Sequence, residues 1–123
     1  MFRSILMFGT AAAVLAVIVP LEPTFYRDIV PILEKRCYEC HRPGGSAMSL
    51  ATYRDAKRWA RPMREVVLAN RMPPQPPQGL FRHLQDAQGL TREEIQTIVR
   101  WVDTGAKEGD PNEAPPPQIV AHL

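Results

Sequence analysis

Cys37-Tyr38-Glu39-Cys40-His41 is the stretch on which the reading of this chain turns. It holds both cysteines and one of the three histidines in 123 residues. Two thiols three positions apart on one helical turn can reach the two vinyl groups along one edge of a porphyrin and form thioethers. The adjacent histidine then offers its imidazole to an iron at the ring's centre, so C-x-x-C-H reads as a c-type haem attachment. Other uses fit less well. A structural zinc site takes four protein ligands, and two cysteines with three histidines leave little to build one from. A redox dithiol belongs in a βαβ context that the surrounding pattern lacks. A plain disulfide stays open if the compartment is oxidising.

Upstream, apolar residues recur at helical spacing through Phe25, Ile29, Ile32, Leu33 and Cys37, which predicts a helix over 24–36. Pro31 either kinks it or falls in its first turn behind an Asp28 N-cap, where a missing N–H costs nothing. Further back, Arg3 precedes an uncharged, largely apolar stretch from Ser4 to Leu21. As a helix it would be roughly 27 Å long, just short of a bilayer's ~30 Å hydrocarbon core. A cleaved secretory signal has the same plan. Cutting after Ala13 or Ala16, however, strands Val17, Ile18 and Val19 on the mature chain. Residues 1–22 therefore read as a signal-anchor or a signal peptide, with an uncleaved apolar helix the favoured form. With Arg3 on the cytoplasmic side, everything after Glu22 is exported to the periplasm or its equivalent.

Downstream, Arg42-Pro43-Gly44-Gly45 is a turn-rich loop, and Leu50 to Trp59 reads as a short helix with Leu50, Tyr53 and Ala56 inward. A further helix is expected from Pro62 to about Asn70, with Met63, Val66 and Val67 on one side. Met72-Pro73-Pro74-Gln75-Pro76-Pro77 must be extended, because consecutive prolines exclude helix. The last helix carries the strongest local signals. Thr91 and Glu94 form a capping box, Leu90 and Ile95 a staple, and Gly105 a stop. Its apolar stripe is Ile95, Ile98, Val99 and Val102. This stripe and that of the first helix predict that the two terminal helices cross, with Phe25 or Ile29 against Ile98, Trp101 or Val102. The fold class is all-α, with three to five short helices and no strands. The domain spans 23–109 and a proline-rich, mobile tail 110–123.

If haem is bound, an electron carrier needs a second axial ligand, and methionine is the usual soft partner. Met63 lies on an apolar helix face and suits core packing. Met48 is seven residues past His41, close for reaching the opposite haem face. Met72 follows two helical segments and precedes stiff prolines, which favours it over His83 in a glycine-flanked loop or His122 in the tail. Trp59, Tyr53 and Arg71 could donate to the haem propionates, since buried carboxylates need donors.

Together, Cys37–His41, the Arg71-Met72-Pro73-Pro74 loop and the helix from Leu90 to Trp101 resemble class I c-type cytochromes. The resemblance is closest to mono-haem domains of exported proteins reading F-x-x-D-I-x-P-I-L-x-x-x-C-x-x-C-H, and it covers about residues 24–107. It implies a small cytochrome c fold around one covalent haem c, with His41 proximal and Met72 distal. One departure stands out. Many members carry a proline about a dozen residues after the histidine to orient its ring, and Tyr53 occupies that place here. Pro43 is nearer, and the acceptor for the imidazole N–H is left open.

Net charge is +2, with fifteen basic residues interspersed among thirteen acidic ones. That pattern argues against nucleic-acid binding, which concentrates positive charge on one face. The functional expectation is a mono-haem electron carrier, not an enzyme, passing single electrons between redox proteins in or beside a membrane complex. The alternatives are a small peroxidase-like enzyme with a labile distal ligand, or a haem relay that tethers a larger complex.

Overall fold

The computed structural model describes residues 21–74 and 89–116. Its regular structure is entirely helical, with no strand among the described residues. The chain enters through Pro23, which is buried, and Thr24, which is extended and serves as the first N-cap. A π-helical turn, Phe25–Ile29, leads into α1, Val30–Arg36. The wide turn has a local cause. Pro31, second in α1, has no N–H to return to Arg27, and its ring would press on that residue's carbonyl in a regular helix. Ile29 accordingly bonds back to the Thr24 carbonyl at 3.3 Å. Asp28 is not an N-cap, one of the two expectations above. Its Oδ2 instead reaches back to accept from the Thr24 N–H at 2.8 Å.

α2 (Tyr53–Arg58) begins later than expected, because the Thr52 hydroxyl captures the Asp55 N–H and sets the start there. α3 (Ala60–Leu68) begins two residues before Pro62. The proline sits third in the helix, among the N–H groups with no partner inside it, so it costs nothing there. α3 closes with Asn70 in the left-handed region at φ +54. The Asn70 and Arg71 amides then bond to Val67 and Val66 carbonyls at 3.2 and 2.9 Å, a complete Schellman stop.

α4 (Arg92–Asp103) starts with the expected capping box, both halves formed: Glu94 N–H to Thr91 Oγ1 at 3.1 Å and Thr91 N–H to Glu94 Oε2 at 2.8 Å. It ends in a second Schellman stop, with Gly105 at φ +102 and the Ala106 N–H on the Trp101 carbonyl at 2.7 Å. The two terminal helices cross antiparallel. At one end the Phe25 and Trp101 rings lie 6.2 Å apart, and at the other Arg36 pairs with Glu94 at 3.2 Å. Phe25, Ile29, Leu33, Ile98 and Trp101 are the largest fully buried side chains, so this crossing is the centre of a core that Leu50, Met63 and Val67 extend.

The segment after α4 clasps the start of the chain. Lys107 O accepts from the Phe25 N–H at 2.9 Å and from Trp101 Nε1 at 2.9 Å, and Glu108 O accepts from the Tyr26 N–H at 3.3 Å. Ala106 O takes the Tyr53 hydroxyl at 2.8 Å. First-turn amides that the helix cannot satisfy are thus met by carbonyls from the far end of the sequence. Structure continues past the expected boundary at 109. Asp110 caps a 3-10 turn at Pro111–Glu113, which packs against the π-helical turn. Among the described residues no helix is long and apolar enough to cross a membrane. The N-terminal apolar segment to Pro20 and the tail from Pro117 lie outside them.

Candidate functional site

The pentapeptide forms one turn at the end of α1. Cys37 is the C-cap, its amide on the Leu33 carbonyl at 2.8 Å, and the His41 amide returns to the Cys37 carbonyl at 2.9 Å. Cys37 is half-buried and Cys40 exposed, and both are free thiols. The chain then doubles back. Gly45 bonds to Arg42, Ala47 to the Cys40 carbonyl at 3.1 Å and Leu50 to the His41 carbonyl at 2.9 Å. Only glycine fits at 45, since a Cβ there would lie 2.3 Å from the Cys40 carbonyl oxygen.

This return sets the histidine. Nδ1 of His41 lies 2.8 Å from the Met48 carbonyl oxygen. A carbonyl only accepts, so Nδ1 carries the proton, and in the neutral ring this tautomer leaves the lone pair on Nε2. The acceptor that the sequence left open is therefore a backbone oxygen seven residues on, neither Pro43 nor Tyr53. The sequence did hold a signal for it. The Gly44-Gly45 turn that brings the chain back is the same short span that argued against Met48 as an axial ligand.

Burial pushes the Cys37 thiol up to about 11, and the nearby Glu94 carboxylate adds to the rise against the opposing Arg36. A catalytic dithiol works through a lowered thiol, so this environment suits a cysteine held as a thiol or consumed in a covalent bond. Tyr38 is likewise raised to about 12, first by burial and then by Glu34. Among the described residues no three His, Cys, Asp or Glu side chains gather as a metal site.

The remaining candidates separate. Met72 follows directly on the α3 stop, with its amide on the Val66 carbonyl at 3.3 Å and its side chain exposed. Arg71 is exposed beside it, and Trp59 is exposed at the joint between α2 and α3. Tyr53 is engaged elsewhere: its hydroxyl is donated to Ala106, and its ring packs 5.5 Å from Phe25 with the Lys57 ammonium over it. Its one proton is thus donated inside the fold, tying α2 to the segment that follows α4. His83 and His122 lie outside the described residues. One pattern was not foreseen. Apart from Leu21, every large exposed apolar side chain among the described residues falls between His41 and Pro73: Met48, Trp59, Leu68 and Met72.

Comparison with protein-family models, with curated proteins and with solved structures finds no match to this chain.

Proposed function

We propose that this chain is an exported mono-haem c-type cytochrome that carries single electrons between redox proteins in or beside a membrane complex. The observation that carries the reading is the C-x-x-C-H turn with His41 Nδ1 donating to the Met48 carbonyl. That bond fixes the ring and its tautomer and makes Nε2 more basic, which is what an iron ligand needs. Met72, partly exposed directly after the α3 stop, is a side chain free to meet a haem.

In this reading Cys37 and Cys40 would hold haem c by thioethers, and His41 and Met72 would ligate its iron. The haem supplies an iron that alternates between two oxidation states, one electron at a time. The chain's own work is to fix and insulate it. The returning loop orients His41, the α3 stop delivers Met72 to a defined position, and Arg71 and Trp59 supply donors for the propionates. With both His41 and Met72 given to the iron, no position would remain for a substrate, so the reading is of a carrier and not an enzyme. Residues 1–22 export it and hold it at the membrane.

The purified protein should keep its haem through acid–acetone extraction and show a thioether-haem spectrum on reduction. Met72→Ala should abolish the Met-to-iron charge-transfer band and let carbon monoxide bind ferrous haem, with His83→Ala silent. Complete extraction of the haem would sink the cytochrome reading. The reverse pattern between the two variants would move the distal ligand to His83 and favour a peroxidase-like enzyme.

A further inference from the structure

Between Tyr53 and Arg71 the chain carries six Arg or Lys against two Asp or Glu, so on a net charge of +2 the remainder is negative overall. Charges that are mixed along the chain as a whole separate in this stretch. α2 and α3 are joined by Trp59 alone, and the helical ladder runs through it. The Trp59 amide bonds to the Asp55 carbonyl at 3.2 Å and the Met63 amide to the Trp59 carbonyl at 2.8 Å. Helical spacing therefore holds across the joint, and Arg54, Lys57, Arg58 and Arg61, at i, i+3, i+4 and i+7, fall on one face. All four are exposed, whereas Ala56, Ala60, Met63 and Val67 on the other side are buried.

Like charges one turn apart on a helix repel and cost it stability. The stripe holds two such pairs, Arg54 with Arg58 and Lys57 with Arg61, and the fold does little to relieve them. Ion pairs elsewhere engage Arg27, Arg36, Arg64 and Lys107. Arg54, Arg58 and Arg61 meet no carboxylate among the described residues, and Lys57 has the Tyr53 ring, 5.6 Å from its ammonium. Glu65, exposed one turn past Arg61, closes the stripe.

We infer that this stripe is the docking surface for an acidic face of a partner protein. Its exposed guanidinium and ammonium groups, spread along about 10 Å of helix, match a row of carboxylates. Charge of opposite sign steers the encounter and fixes its orientation. The bounds of the stripe favour a protein over a bilayer. An extended anionic plane repels Glu65 and the negative remainder of the chain, whereas a partner of limited acidic area meets the four cations alone. None of the four has a role in the haem site proposed above. That the partner is a redox protein rests on the carrier reading; its acidity rests on the stripe.

The test is an NMR titration of the full-length, 15N-labelled, reduced protein in neutral detergent, with short poly-L-glutamate as the acidic probe. Amides of 54–61 should shift, while those of α4, whose exposed Arg92 and Arg100 serve as control cations, should not. The shifts should vanish in about 1 M salt, where the Debye length falls to ~3 Å. Arg58→Gln combined with Arg61→Gln should weaken binding roughly tenfold and leave the urea midpoint unchanged or raised, since repulsion is removed. Arg92→Gln combined with Arg100→Gln should leave binding unchanged. Shifts absent at 54–61 or equally large in α4, or a stripe variant that binds as wild type does, would reduce the stripe to general surface charge and overturn the proposal. Shifts at 54–61 when phosphatidylglycerol replaces phosphatidylcholine in bicelles would give the stripe to lipid and overturn it as well. Loss of the haem spectrum would bear on the carrier reading alone, because the peptide titration does not need the haem.

Discussion

Thr24 carries a buried hydroxyl with no hydrogen-bond partner, although it stands at an N-cap position where such a hydroxyl usually accepts. The Lys107 and Glu108 carbonyls take the Phe25 and Tyr26 amides, and the hydroxyl is left facing the clasp. Thr24→Val keeps the shape and the extended backbone while removing an unsatisfied group. It should leave stability unchanged or raise it by up to about 1 kcal/mol in urea unfolding. A loss of more than that would reveal a partner for the hydroxyl. Gly45 makes the opposite case. Its conformation suits any residue, but its neighbour is a backbone carbonyl that cannot step aside. Gly45→Ala should cost about 1–3 kcal/mol and broaden or shift the His41 Nδ1 proton resonance, because the loop bearing Met48 moves with it. An unchanged resonance would separate that loop from the histidine. At this scale the sequence disclosed the chemical groups but not their partners. C-x-x-C-H is visible in one line of text, whereas a backbone carbonyl carries no side-chain signature, and the Met48 acceptor had to await the fold.

The elements were legible in proportion to how local their causes are. α4 is specified by its own ends, since capping box, staple and glycine stop all act within a few residues, and its box formed as read. Glu94 does more than cap. It also accepts from Arg36, whose side chain is only 7% exposed, and so ties the start of α4 to the end of α1. Thr91→Ala should therefore cost about 0.5–2 kcal/mol, an ordinary cap loss. Glu94→Ala removes the cap and the interhelical pair together, and should cost about 1.5–3 kcal/mol more than that. Equal losses in chemical denaturation would mean that the Arg36 contact contributes nothing. The first helix was less legible. Apolar spacing located it, but the choice between a kink and a late start depended on whether a partner existed for the freed amides. The clasp supplies that partner from more than eighty residues away, and the outcome was a π-helical turn that neither option described.

For the molecule as a whole, the crossing of the terminal helices followed from their two apolar stripes, which each need a facing apolar surface to be buried. Ile98 is fully buried at that crossing. Ile98→Ala should cost about 2–5 kcal/mol with the urea m-value unchanged. A cost below about 1 kcal/mol would place the stabilising core elsewhere. What no pattern announced is that the carbonyls of Ala106, Lys107 and Glu108 gather α2, α4 and the chain's entry at one point. Tyr53 donates its hydroxyl at that junction, a contact no local pattern foretold.

The clasp also sets a schedule. Phe25 and Lys107 are separated by 82 residues (107−25), and a chain made from its N-terminus cannot close that contact until the second has emerged. At about 5–20 residues per second of synthesis, the first helix waits roughly 4–16 s with its leading amides open to water. Throughout that wait the nascent polypeptide is an unlatched strand, which can be threaded through a narrow translocation channel in a way the finished domain cannot.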